Sequence, residues 1–322
     1  MGIVPTINKV GSTGDGAWAV VRGVRGTRVA LAVLVAGVAA ALTACASDGG
    51  RADGRLSVVA STNVWGSVVQ AVGGGAVDVT SVIHDPSQDP HSYEANAQVK
   101  LALSRADLVV ENGGGYDDFV GQLSQSLDPR PRTLDAVTIS GFAATQGDQL
   151  NEHVWYDLPT VQKVADAVAG ALAATRPAQA ATFRANAAAF DARLDALIAT
   201  EAQVEAQVAG RGVAITEPVP LYLLDALGLV DRTPPAFSEA VEEGTDVSPQ
   251  VLDETLALFG EHRVVALVYN AQTTGPETTR VLDAAAAAHV PQVPVTETLP
   301  EGQDYLSWMT DTLARVRAAV TS

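Results

Sequence analysis

A single cysteine, Cys45, occurs in 322 residues, which excludes an internal disulfide framework and any cysteine-rich zinc module. Positive charge is scarce too: 20 Lys and Arg stand against 37 Asp and Glu, a net charge of −17. A surface of that sign repels nucleic acid, so no nucleic-acid partner is expected. The apolar run from Val29 to Leu42 stops at 14 residues, short of the ~20 a membrane-spanning helix needs. Gly-x-Ser-x-Gly elbows and His-Glu-x-x-His pairs are absent, and with them two common hydrolase signatures.

What is present begins with a leader. Arg22, Arg25 and Arg28 precede the short apolar run, and Leu42-Thr43-Ala44-Cys45 closes it. A positive segment, an apolar segment and a small-residue cleavage site make a secretory signal. The cysteine falls where a lipobox places the residue that is diacylated, so residues 1–44 read as signal peptide and Cys45 as a lipidation site. The stretch before Arg22 is long and polar for such a leader, the pattern expected of a true start near Val20 and Val21. Residues 45–54 are small and charged and read as a tether to the outer face of the membrane. The first 44 residues carry +3, which leaves −20 on the rest.

The body alternates strands and helices. Strands are expected at Leu56–Ala60, Val77–Ile83, Leu108–Glu111 and, weakly, Thr138–Ser140, with helices at Val64–Val72, Asn96–Arg105 and Tyr116–Leu127. From Pro159 to Val208 strand signal disappears. One helix runs to about Ala174, Arg176-Pro177 interrupts, and a second runs from about Ala178 to Val208. Its stripe of Phe183, Phe190, Leu194, Leu197, Val204 and Val208 has helical spacing. Alternation then resumes, with strands at Val213–Ile215, Val264–Tyr269 and Val293–Thr296. Helices are expected at Pro218–Leu227, Pro249–Phe259, Pro276–His289 and Asp304–Val320. The fold class is therefore α/β: a parallel-sheet lobe over 55–176, a long rigid helix over 177–208, and a second parallel-sheet lobe over 209–322.

Ligands of open parallel sheets bind beyond the carboxyl ends of the strands. Four segments carry chemistry there: Asp89-Pro90-His91-Ser92-Tyr93-Glu94, Asn151-Glu152-His153-Val154-Trp155-Tyr156-Asp157, Thr216-Glu217-Pro218 and Thr296-Glu297-Thr298. Together they offer two imidazoles and two carboxylates, a set that suits zinc, manganese or iron. Elsewhere, His262 and His289 read as helix-end residues, and His84 lies nearer the site. Trp65 and Trp155 read as packing residues, and Asn112 with the glycines after it as a turn. Gly73-Gly74-Gly75 precedes a strand and so fails as a phosphate loop.

The Asp-Pro-His-Ser-Tyr-Glu and Asn-x-His-x-Trp-x-Asp segments, behind a lipobox, resemble the zinc/manganese-binding solute-binding proteins of bacterial ABC importers. The resemblance covers Leu56 to Val320. It implies two α/β lobes joined by one long helix, with the metal in the cleft between them. The ligands it implies are His91, His153, Glu217 and Glu297. It further implies Zn2+ or Mn2+ as cargo, with Fe2+ also accommodated, and a monomer working with an ABC permease and its ATPase rather than as an enzyme. Glu217 stands where zinc members often carry histidine, and Glu297 where aspartate is usual. The histidine-rich loop of many zinc members is missing, since Leu123 to Leu150 holds no histidine. A surface adhesin on the same fold and a secreted metallohydrolase are the alternatives.

Overall fold

In the computed structural model, residues 54–85, 93–142 and 150–321 are described. Cys45 and His91 lie outside them. The first sheet is built from β1 (Leu56–Thr62), β2 (Val77–Ile83), β3 (Leu108–Glu111) and β4 (Thr133–Asp135) in the order β2-β1-β3-β4. The second uses β5 (Gly212–Ile215), β6 (Val230–Asp231), β7 (Leu267–Asn270) and β8 (Gln292–Val295) in the order β6-β5-β7-β8. Every pairing is parallel. β1 is buried at all seven positions, as a central strand covered on both faces must be. In both sheets the first strand has its second neighbour on one side and its third on the other. That arrangement opens a crevice at the strands' carboxyl ends.

The helices follow the apolar periods. In the first half they are α1 (Asn63–Gly73), α2 (Ala97–Leu103), α3 (Asp118–Ser124), α4 (Ala136–Ser140) and α5 (Leu158–Thr175). The long α6 (Ala180–Val208) is entered through a 3-10 turn at Pro177–Gln179. The rest are α7 (Leu221–Ala226), α8 (Pro235–Glu242), α9 (Pro249–Gly260), α10 (Pro276–Ala287) and α11 (Tyr305–Thr321). At 29 residues, α6 is about 43 Å long. Its buried stripe is Phe183, Ala187, Phe190, Leu194, Glu201, Val204 and Val208, with Leu197 at the margin. It packs against α1, α5, α7 and α11. One hydrophobic core thus runs from β1 through α5 and α6 to β8 and α11.

Two local expectations need correction. Thr138–Ser140 is not a strand: it lies in α4, and the strand is the preceding Thr133–Asp135. The β-branched run Val137-Thr138-Ile139 favours extended chain, but Asp135 caps a helix by accepting from Thr138 N at 2.7 Å. The helix expected over Pro218–Leu227 is confined to Leu221–Ala226, because prolines at 218 and 220 supply no N–H to a helical ladder. Between Gly228 and Pro249, where no element is expected from the sequence, β6 and α8 form.

His262 and His289 follow α9 and α10 with φ of 52° and 57°, the left-handed turn that ends a helix. The loop after β3 is built similarly. Gly113, Gly114 and Gly115 all have positive φ. The buried Asp117 carboxylate accepts from Asn112 N at 2.6 Å and Gly113 N at 2.8 Å. A Cβ on Gly113 would run into the Asp135 carboxyl group. Gly113→Ala is therefore expected to lower stability by about 2 kcal/mol, read as a shift in the urea unfolding midpoint. An unchanged midpoint would contradict that account of the loop.

Candidate metal centre

His153 sits between β4 and α5, in a segment tied down at several points. Asn151 Nδ2 donates to Pro218 O at 3.1 Å, which turns Asn151 Oδ1 toward the histidine. Oδ1 accepts from His153 N at 3.1 Å and lies 2.6 Å from Nδ1. Nδ1 therefore carries the proton, and Nε2 is the basic nitrogen. The ring is fully buried and is packed edge-on by Trp155 at 5.1 Å and Tyr116 at 6.1 Å between ring centroids. Tyr222 OH donates to Asn151 O, Tyr305 OH to Trp155 O and Tyr156 OH to Thr296 O. Those bonds lash the segment to α7, α11 and the loop after β8.

The two predicted carboxylates come from the ends of the second sheet. Glu217 follows β5 and Glu297 follows β8, and both are 3% exposed. Asn270, the last residue of β7, donates from Nδ2 to Glu217 Oε2 and, at 2.8 Å, to Glu297 Oε1. The other Glu297 oxygen accepts from Tyr116 OH at 3.0 Å. Burial first, then the charge of Glu297, holds the Tyr116 phenol well above its ordinary pKa, so it stays a donor. Tyr116 thus touches both Glu297 and the His153 ring. Two buried carboxylates are thus gathered on one amide, and their oxygens are donors of the kind a divalent cation takes.

Glu242, the last residue of α8, was not anticipated. Its Oε1 lies 3.6 Å from His153 Nε2. Ligand atoms of Glu152, His153 and Glu242 all fall within 4.8 Å of one another. Burial, then the charges of Glu152, Glu217, Glu297 and Glu243, push the Glu242 carboxyl up to about 8. The structure therefore groups His153 with Glu152 and Glu242, and joins Glu217 to Glu297 through Asn270. The signal for α8 was present as Pro234-Pro235 before Phe237, Ala240 and Val241, a helix start followed by an apolar stripe. Nothing in the sequence pointed from α8 to His153. His84 is exposed, with Nδ1 3.3 Å from Val82 O, and does not belong to the His153 group.

Known proteins agree with this architecture. The chain is 28% identical over 160 residues to the manganese-binding lipoprotein MntA of Halalkalibacterium halodurans, covering 50% of this chain and 52% of that one. It is 23% identical over 278 residues to the zinc-binding protein TroA of Treponema pallidum, covering 83% and 87%. The chain spans about half the length of the first curated relatives it matches. The solved structure of the Treponema pallidum periplasmic zinc-binding protein TroA superposes with a TM-score of 0.71 at 20% identity, covering 84% of this chain and all of that one. The Mn2+ complex of FpvC from Pseudomonas aeruginosa gives 0.68 at 22%, covering 83% and 98%. Since the family model for zinc-uptake complex component A, periplasmic, matches residues 58–319, most of its length, the chain belongs to that family.

Proposed function

We propose that this protein captures one divalent transition-metal ion, Zn2+ or Mn2+ with Fe2+ also accommodated, outside the cytoplasm and delivers it to an ABC permease driven by its ATPase. His91, His153, Glu217 and Glu297 are the proposed ligands. Cys45, carrying two acyl chains, would keep the monomer at the outer face of the membrane, since a single chain anchors only marginally. The observation that carries the reading is His153. A fully buried imidazole has its tautomer fixed by Asn151 so that Nε2 can ligate. Tyr116 links that ring to the buried carboxylate of Glu297. The names of the relatives, a manganese-binding lipoprotein and a zinc-binding protein, agree with such cargo.

Each chain element has a task in capture. Asn151 orients the imidazole, Asn270 holds the two carboxylates near each other, and Tyr116 aims Glu297. Two anionic ligands neutralise a doubly charged ion where water is excluded. The core that continues through α6 restrains large lobe motion, so closure on the ion is expected to be small. Acid would release the ion, because imidazole must be neutral to ligate.

Calorimetric titration of metal-free protein with Zn2+ and with Mn2+, paired with metal analysis of protein purified without chelators, tests this. Binding of one ion per chain is expected. A chain that takes up neither ion would overturn the capture reading.

A further inference from the structure

We propose that Glu242 is an additional ligand of the captured ion, and that the third carboxylate it brings turns the site toward manganese and ferrous iron at the expense of zinc. The inference rests on the capture reading and deepens it.

The first support is a distance. Glu242 Oε1 and His153 Nε2 are 3.6 Å apart, beyond a good hydrogen bond. Two donors each about 2.1 Å from one ion, at tetrahedral to trigonal angles, stand about 3.4–3.6 Å from each other. The observed gap is therefore the gap an ion bridges. Glu242 Oε1 accepts no hydrogen bond among the described residues.

The second support is placement. Glu242 lines a cavity of about 380 Å3 together with Glu152, Asp231, Glu239 and Glu243. Its side chain is 18% exposed, whereas that of His153 is fully buried. Glu242 thus spans from an acid-lined, solvent-connected cavity to the buried imidazole. A cation drawn into that cavity meets Glu242 on its way to His153.

The consequence follows from ligand chemistry. Carboxylate oxygen suits manganese better than imidazole-rich sets do, and a fifth donor exceeds the four that closed zinc sites take. Without such bias, the ordinary affinity order places zinc above manganese. Glu242 would narrow that gap.

The test compares the full chain with Glu242→Gln and Glu242→Ala by competition titration with Mn2+ and Zn2+, and by visible absorption of the Co2+-loaded proteins. Mn2+ affinity is expected to fall about tenfold or more in the Ala variant, with a smaller loss for Zn2+. The Co2+ ligand-field bands should intensify as the coordination number drops. The Gln variant keeps the side-chain volume and guards against a packing effect. Both variants retaining the wild-type Mn2+ to Zn2+ ratio and Co2+ spectrum would overturn the inference while leaving capture intact. A wild-type chain that binds neither metal would overturn capture, and this inference with it.

Discussion

His153→Ala is expected to lower metal affinity by a few hundredfold or more while the protein still unfolds as one cooperative unit. Apparent binding free energies of four-ligand zinc sites run to ~10–16 kcal/mol, so one ligand of four is worth about 2.5–4 kcal/mol. At about 1.4 kcal/mol per factor of ten, that is roughly 60- to 700-fold, with a preorganised ligand at the upper end. The residue is also the best preorganised donor among the described residues. Asn151 fixes its tautomer, and Trp155 and Tyr116 fix its plane. An ion binding there does not have to order the ring first, so little of the gain is spent on entropy. The ring packs on Trp155 and Tyr116 of the core, so some stability is lost, but the fold should persist because the rest of that core, from β1 through α6 to α11, is untouched. Competition against a chelating dye measures the effect, with circular dichroism as the folding control. Wild-type affinity in this variant would remove His153 from the site.

Glu201→Gln is expected to stabilise the metal-free protein at pH 8 by about 2–3 kcal/mol and to leave it nearly unchanged at pH 4.5. Glu201 lies on the buried stripe of α6, is 4% exposed, and its Oε1 has no hydrogen-bond partner among the described residues. Burial, and secondarily the charge of Asp157, raises its carboxyl from the ordinary 4.5 to about 7. The sign follows from proton binding. Between pH 4.5 and 7 the folded chain keeps the proton while the unfolded chain loses it, so stability falls as pH rises through that window. Above pH 7 both states are ionised and the loss is complete. At about 1.4 kcal/mol per pH unit, the window amounts to roughly 3 kcal/mol as an upper bound. The amide cannot ionise, so the variant lacks this slope. Glu111 and Glu242 are also pushed upward, but they are common to both proteins and cancel in the difference. Urea unfolding at pH 4.5 and pH 8 in the presence of chelator reads it. An identical pH slope in the two proteins would show that Glu201 finds solvation the structure does not indicate.

Much of the scaffold was legible because its causes are local. The buried strand Leu56–Thr62 announces itself by a run of β-formers, and α6 by apolar residues at helical spacing. Pro159 at the start of α5 and Gly228 after α7 mark boundaries through their own backbone preferences. Where local signals conflicted, the reading failed: at Thr138–Ser140 the cap from Asp135 outweighed β-branching. The hydrogen bonding of Asn151 to His153 is local too, between residues two positions apart.

Three things only the tertiary structure decided. Asn270 joins Glu217 to Glu297 from the end of a different strand. Tyr116 reaches Glu297 across 181 positions of sequence. Glu242 meets His153 from α8, a helix whose own sequence carries no signal toward that histidine. The last two pairings depend on where the carboxyl ends of the two sheets are held by a core shared through α6. Periodicity and capping are interactions between near neighbours and can be read along the chain. The distance between side chains far apart in the sequence is set by packing, which the order of residues determines but does not display.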